Sequence, residues 1–153
     1  MTRPVYEHTQ AGWPMRLTFA ALALGLIVLA ALQLPVLGRA PSWALLAGAA
    51  LAIAVGWCFS SLTIRVTSDE LQLHFGWGWP RKRVPLAGIA AVEVTRTTFI
   101  EGWGVHRTRR GWLYNVAGFD AVVLRRRDGT AVLVGSDEAP RLKGAIERAR
   151  GRV

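Results

Sequence analysis

Cysteine, histidine and acidic residues are scarce in this chain of 153 residues, and each scarcity removes a class of chemistry. Cys58 is the single cysteine, so no disulfide can close within the chain. Lying in a long apolar run, it reads as a small buried hydrophobe. His8, His74 and His106 share no ligand spacing, which argues against a metal. Gly76-x-Gly78 and Gly102-x-Gly104 lack the third glycine of a dinucleotide fingerprint, and neither opens a helix after a strand, so no cofactor is implied. Ser60 and Ser61 have no histidine or carboxylate tied to them, and no nucleophile, base and orienting group can be assembled. The expectation is a non-enzymatic protein with no evident small-molecule substrate.

Charge is missing from two long stretches. The first, 15–37, holds only Arg16 at its start and the polar Gln33 near its end. The second, 43–62, holds no charge at all. About 23 residues at 1.5 Å each span roughly 34 Å, enough to cross a bilayer. The break between the runs, Gly38-Arg39-Ala40-Pro41-Ser42, is so short that the two must be antiparallel neighbours. The expected organisation is a leader over 1–14, a transmembrane hairpin over 15–62 (spans 15–37 and 43–62) and a domain over 63–153. A cleaved signal peptide fits less well. The first run exceeds a signal core, and a second run follows at once.

Of the 19 Lys and Arg, only Arg3, Arg16 and Arg39 precede residue 64. Positive-inside therefore puts both termini in the cytoplasm, with Trp13 and Trp57 at the inner interface and Trp43 at the outer one. The net charge of +9 does not call for nucleic acid. An anionic inner leaflet accounts for it, at about 1 kcal/mol per basic residue near the surface. In the second run Ala44, Gly48, Ala52 and Gly56 form a stripe of small residues. Such a seam lets another helix approach closely, either the first span or another chain.

From residue 62 the hydrophobic period becomes two. Leu62, Ile64 and Val66 alternate with Thr63, Arg65 and Thr67, and Leu71, Leu73 and Phe75 alternate with Gln72 and His74. This predicts a hairpin turning at Ser68-Asp69-Glu70. Further strands are expected over 81–85, 91–100 (Val92 and Val94 inward), 112–116, 119–126 and 130–135, with the turn signal Asp128-Gly129 before the last. Residues 101–111, with three glycines and three arginines, read as a loop. A helix over 137–150 closes the chain, capped by Ser136 or Asp137, with Ala139, Leu142, Ile146 and Ala149 on one face. The expected fold class is a membrane protein: a two-helix hairpin, then a mainly β domain. That domain would have about seven antiparallel strands in a bent sheet or partly open barrel, plugged by one C-terminal helix.

Three stretches carry a family resemblance: Arg83-Val84-Pro85-Leu86 with the strand after it, Gly111-Trp112-Leu113-Tyr114 through Val122, and Val132-Leu133-Val134 through Leu142. They resemble the bacterial membrane-anchored PH-domain (pleckstrin-homology-like) family, in which a two-span hairpin precedes the domain. The resemblance implies that fold and a bacterial inner-membrane location. PH-like folds bind phosphoinositide headgroups or protein segments. The headgroup binders use basic residues between their first two strands, where this chain has the acidic Ser68-Asp69-Glu70.

The most site-like stretch is Arg107, Arg109 and Arg110 beside Trp103 and Trp112. Arginine forks grip phosphate with two bonds, and tryptophan suits an interface. The function expected is a binding or scaffolding domain at the cytoplasmic face of the membrane, presented to a protein partner or to a second copy of itself. The alternatives are an anionic-headgroup sensor working through those arginines, or an accessory subunit of a membrane enzyme or transporter docked along Gly48, Ala52 and Gly56.

Overall fold

Both apolar runs fold as helices, because each backbone satisfies itself and the charge of Arg16 and the proline Pro14 fall in the first turn of the first, where a missing N–H costs nothing. α1 (Trp13–Leu32) has 20 residues and is long and apolar enough to cross a membrane. α2 (Ser42–Cys58) has 17 residues and is shorter. The computed structural model describes residues 4–32 and 42–151. The expectations for Gln33, for the end of the first run at 33–37 and for the break at 38–41 lie outside those residues. The second span expected over 43–62 is corrected at its end. The helix stops at Cys58, and the chain from Ser61 onward is a strand.

The helices pack antiparallel through small residues. Ala23, Ala49 and Ala52 are buried between them, with Phe19 and Leu26 packed against this cluster. A Cβ on Gly56 would stand 2.7 Å from the Phe19 Cβ, and one on Gly48 would stand 3.4 Å from Leu26 Cδ1. The outer faces leave Leu17, Leu24, Leu51 and Ile53 exposed.

The N-terminal segment expected as a leader is β1 (Tyr6–Ala11), which pairs antiparallel with β2 (Ser61–Val66) from Tyr6↔Val66 to Ala11↔Ser61. One strand leads into the helix pair and the next leads out. β3 (Glu70–Phe75) and β4 (Arg81–Pro85) complete a four-stranded sheet in the order β1-β2-β3-β4. The second sheet holds β5 (Ile89–Arg96), β6 (Gly104–Thr108), β7 (Gly111–Asn115), β8 (Asp120–Arg126) and β9 (Ala131–Gly135), in the order β5-β8-β9-β7-β6. The expected antiparallel strands, about seven, thus become nine in two sheets among the described residues, and β7 runs parallel to β9. Residues 101–111, expected as a loop, contain β6. Val94, expected inward, is exposed.

Between the sheets lies the main core. Ile64, Leu73 and Phe75 come from the first sheet, Val122, Leu124 and Val134 from the second. α3 (Ala139–Arg150) closes one side with Leu142 and Ile146, each fully buried and contributing about 1.5–3 kcal/mol. Neither Ser136 nor Asp137 is its N-cap; Glu138 holds that position, and the Ser136 Oγ accepts from the Glu138 N–H instead.

Asn115 is fully buried, and its amide organises the turn after β7. Oδ1 accepts from the Ala117 N–H and Nδ2 donates to the Gly118 carbonyl. It lies against Gly135, where an added Cβ would overlap the Asn115 amide. Gly135→Ala is expected to destabilise the fold by about 1–3 kcal/mol through overpacking, read as a lowered thermal midpoint in detergent.

Candidate functional site

The second sheet curls far enough for a side chain from one edge to reach the other. Although β5 and β6 stand at opposite ends of the strand order, Arg110 in the β6–β7 turn reaches β5. It donates to the Thr95 Oγ1 at 3.0 Å and to the Arg96 carbonyl at 3.1 Å. Arg110 also makes a two-pronged contact with Glu101, Nε to Oε1 at 2.9 Å and Nη2 to Oε2 at 2.7 Å. Glu101 closes a capping box on the short turn Phe99–Glu101, accepting from the Thr98 N–H. Arg110 foremost, with the bonds from Thr98, holds the Glu101 carboxyl below its ordinary value of 4.5 against a smaller opposing effect of burial.

The rolled sheet buries Leu113, Val123 and Leu133 as a small second core. Above them runs a groove of 790 Å³. Glu93 and Thr95 of β5 form one wall and the Arg107–Trp112 hairpin the other, with Arg125 and Thr130 at one end. Arg125 is matched by Glu93 at 3.2 Å. Arg107 and Arg109 are exposed and make no ion pair among the described residues.

Of the five residues expected to form a site, Arg107, Arg109, Arg110 and Trp112 line this groove. Trp103 does not. Its Nε1 donates to the Gly118 carbonyl at 3.1 Å and its ring packs beside Phe119. Arg110 is a structural clamp more than a free ligand. Phe99 and Ile100, expected at the end of the strand over 91–100, lie beyond its end at Arg96 and are held exposed on the turn that Glu101 and Arg110 fix, adding apolar surface nearby. The hairpin tip also stands at the far end of β7. The near end meets β1 where the Gln10 Nε2 donates to the Ala117 carbonyl, two residues before Gly12 and the start of α1. At about 3.3 Å per residue the tip lies roughly 20 Å along the strand from that junction.

The seam residues divide. Gly48, Ala52 and Gly56 face α1, whereas Ala44 is exposed. A second set of side chains gathers where the helices join the domain. Trp13 and Trp57 stand exposed at the adjoining ends of α1 and α2. Trp77, in the β3–β4 loop, lies 6.1 Å from Trp57, ring centre to ring centre. The repeated Gly-Trp pairs at 76–79 were the available signal. Among the described residues no three His, Cys, Asp or Glu side chains stand together to hold a metal.

No protein-family model matches the chain, and no curated protein matches it either.

Because the folded carboxyl of Glu101 titrates below 4.5, its pairing with Arg110 contributes fully above that pH and is lost as pH falls through the lowered value. The protection of the amides over 98–110, their exchange rate set against the intrinsic rate at each pH, should therefore be high near pH 7 and fall in acid. Glu101→Gln should give fast exchange in that segment already at pH 7.

Proposed function

We propose that this chain is a non-enzymatic membrane-anchored binding protein. The α1–α2 pair crosses the bilayer and returns, and a PH-like domain on the cytoplasmic side offers its groove to an acidic segment of a protein partner. A second copy of the chain is the other candidate occupant.

Three features support the anchoring. A core helix would be covered, yet α1 exposes Leu17, Leu22, Leu24 and Ile27. α2 lies antiparallel along it, and its 17 residues reach the lower end of the spanning range. Removal of the N-terminal segment as a signal peptide would strip β1 from its sheet and leave the β2 edge bare. With α1 and α2 joined to paired strands, both termini fall on the side that carries most of the basic residues, the cytoplasmic side by positive-inside.

The groove reading is carried by one observation: two exposed arginines with no ion pair among the described residues, beside a half-exposed Trp112 and the apolar Phe99–Ile100 turn. Basic forks around an apolar patch fit a segment with carboxylates and a hydrophobic side chain. An anionic headgroup at the same arginines fits less well, because Arg110 is engaged with Glu101 and the tip points along β7 away from the helices. Docking of another subunit along Gly48, Ala52 and Gly56 would compete with α1, which already occupies that face.

Topology is tested in a Cys58→Ser background. A membrane-impermeant maleimide added to intact cells should label Trp43→Cys and leave Ser68→Cys unlabelled; equal labelling of the two would overturn the hairpin. For the groove, Arg107→Glu with Arg109→Glu should weaken partner capture in mild detergent by about fivefold for each ion pair lost, at about 1 kcal/mol per pair. Capture unchanged by both reversals, or crosslinking in native membranes that yields only monomers, would overturn the partner reading.

A further inference from the structure

Opposite the groove, the outer face of the first sheet has a feature that partner binding leaves unused. Strand alternation brings Arg65 of β2, Gln72 and His74 of β3, and Arg81 and Arg83 of β4 onto one face. The pairs Arg65↔Gln72, Gln72↔Arg83 and His74↔Arg81 stack them side by side. They line a cavity of 290 Å³ together with Trp77 and Gly78 of the β3–β4 loop. Two nitrogens at this cleft, the Arg65 Nε and the His74 Nδ1, are buried without a hydrogen-bond partner among the described residues. Glu7 takes the other side of Arg65, at 2.8 Å from Nη2. The Arg83–Glu70 contact at 3.9 Å is loose, and Arg81 spends its Nε on the Gly78 carbonyl, which fixes the loop. What remains is a polar recess with an excess of positive charge, carried outward by the exposed Arg81 and Arg83.

The loop beside it stands at the helix end of the sheet. The Gly76 N–H donates to the Ser61 carbonyl at 3.0 Å. A Cβ on Gly76, whose φ of +39° already favours glycine, would press on the carbonyl oxygens of Trp57 and Cys58. Trp77 and Trp79 project from this loop 81% and 73% exposed, continuous with Trp57 and Trp13 at the ends of the helices. Four exposed tryptophans ringing one end of an apolar helix pair match the headgroup level of a bilayer, where the amphipathic indole is most stable. In water the same surface would be an unfavourable apolar patch.

We propose that this corner of the domain is a lipid contact. Trp77 and Trp79 sit at the headgroup level, and the cleft between β2, β3 and β4 takes the phosphate of an anionic lipid through Arg65, His74, Arg81 and Arg83. The cleft opens beside the two tryptophans, so one lipid meets both. Its phosphate pairs with the exposed Arg81 and Arg83 at the mouth, over Arg65 and His74, while its glycerol and upper chains lie along the indoles. This inference rests on the membrane reading above and is independent of the groove.

The test uses the full chain reconstituted in vesicles, with Trp77→Phe/Trp79→Phe as a reference whose subtraction isolates the emission of the two loop tryptophans. Brominated phosphatidylglycerol and brominated phosphatidylcholine serve as quenchers, with iodide as the aqueous one. The expected result is strong lipid quenching, weak iodide quenching and about a fivefold preference for phosphatidylglycerol, the size of one basic contact at an anionic surface. His74→Gln/Arg83→Gln leaves the Arg65–Glu7 pair and the Arg81–Gly78 bond in place and should bring the preference towards one. Quenching by iodide alone, or equal quenching by the two lipids in the wild-type chain, would overturn the proposal. Loss of the preference on adding inorganic phosphate would assign the cleft to a free phosphate and overturn the lipid assignment. Alkaline carbonate extraction of the same protein reports separately on the helix pair, so a failed loop contact and a failed anchor give different outcomes.

Discussion

The pairing of β1 with β2 is the constraint on which the rest of the molecule depends. An apolar helix pair on a flexible tether could take any attitude to the domain that follows it. Here the strand entering α1 and the strand leaving α2 are hydrogen-bonded neighbours from Tyr6↔Val66 to Ala11↔Ser61, and the Gly12 N–H carries the ladder on to the Ser60 carbonyl. The Arg16 Nε also donates to Ser60, one turn into α1. Helix ends and sheet are therefore one body. The far edge of β1 is tied to the start of α3, where the His8 ring meets Asp137 at 2.6 Å and the Tyr6 hydroxyl donates to Glu138. Burial, with Glu138 next in effect, pushes the Tyr6 phenol up to about 12, so it remains a donor across the physiological range.

The second sheet depends on a different contact. A five-stranded sheet with β5 and β6 at opposite edges would leave Leu113, Val123 and Leu133 facing water. The roll held by Arg110 covers them and at the same time creates the groove. Arg110 therefore carries two consequences that its sequence context does not separate from those of Arg107 and Arg109. All three lie in one Gly-rich basic stretch, yet one is a clamp and two make no ion pair among the described residues.

Much of the architecture was legible where apolar residues alternate. β2, β3 and α3 fall within a few residues of their expected ranges because each buries one apolar face, and β8 and β9 do so as short apolar runs buried on both faces around a turn signal. β1 was not legible, since its inward residues are Tyr6, His8 and Gln10. It is held by ladder bonds and polar contacts, which leave no hydrophobic period. β6 was missed for a similar reason: Gly104, His106 and Thr108 alternate with Val105 and Arg107, and only pairing with β7 makes a strand of them. The parallel β7–β9 contact joins segments separated by β8, and no local pattern encodes it. Among the candidate site residues, residue type was the informative signal and location was not. Trp103 looked like the equal of Trp112 until its Nε1 was found bonded to the Gly118 carbonyl.

Basic charge occurs at both ends of the domain, and distance decides what each end can do. Screening at physiological ionic strength has a length of about 8 Å. In the proposed orientation, the β3–β4 loop and Arg81 stand at the helix ends, inside that range of an anionic leaflet. The Arg109 tip stands roughly 20 Å along β7 from the junction with β1, more than two screening lengths on the same scale. Leaflet attraction therefore accounts for the first set and not for the second. Arg107 and Arg109 must instead be matched by water or by another macromolecule. Because no linker lets the domain swing, the groove cannot be brought down to the membrane to change that division.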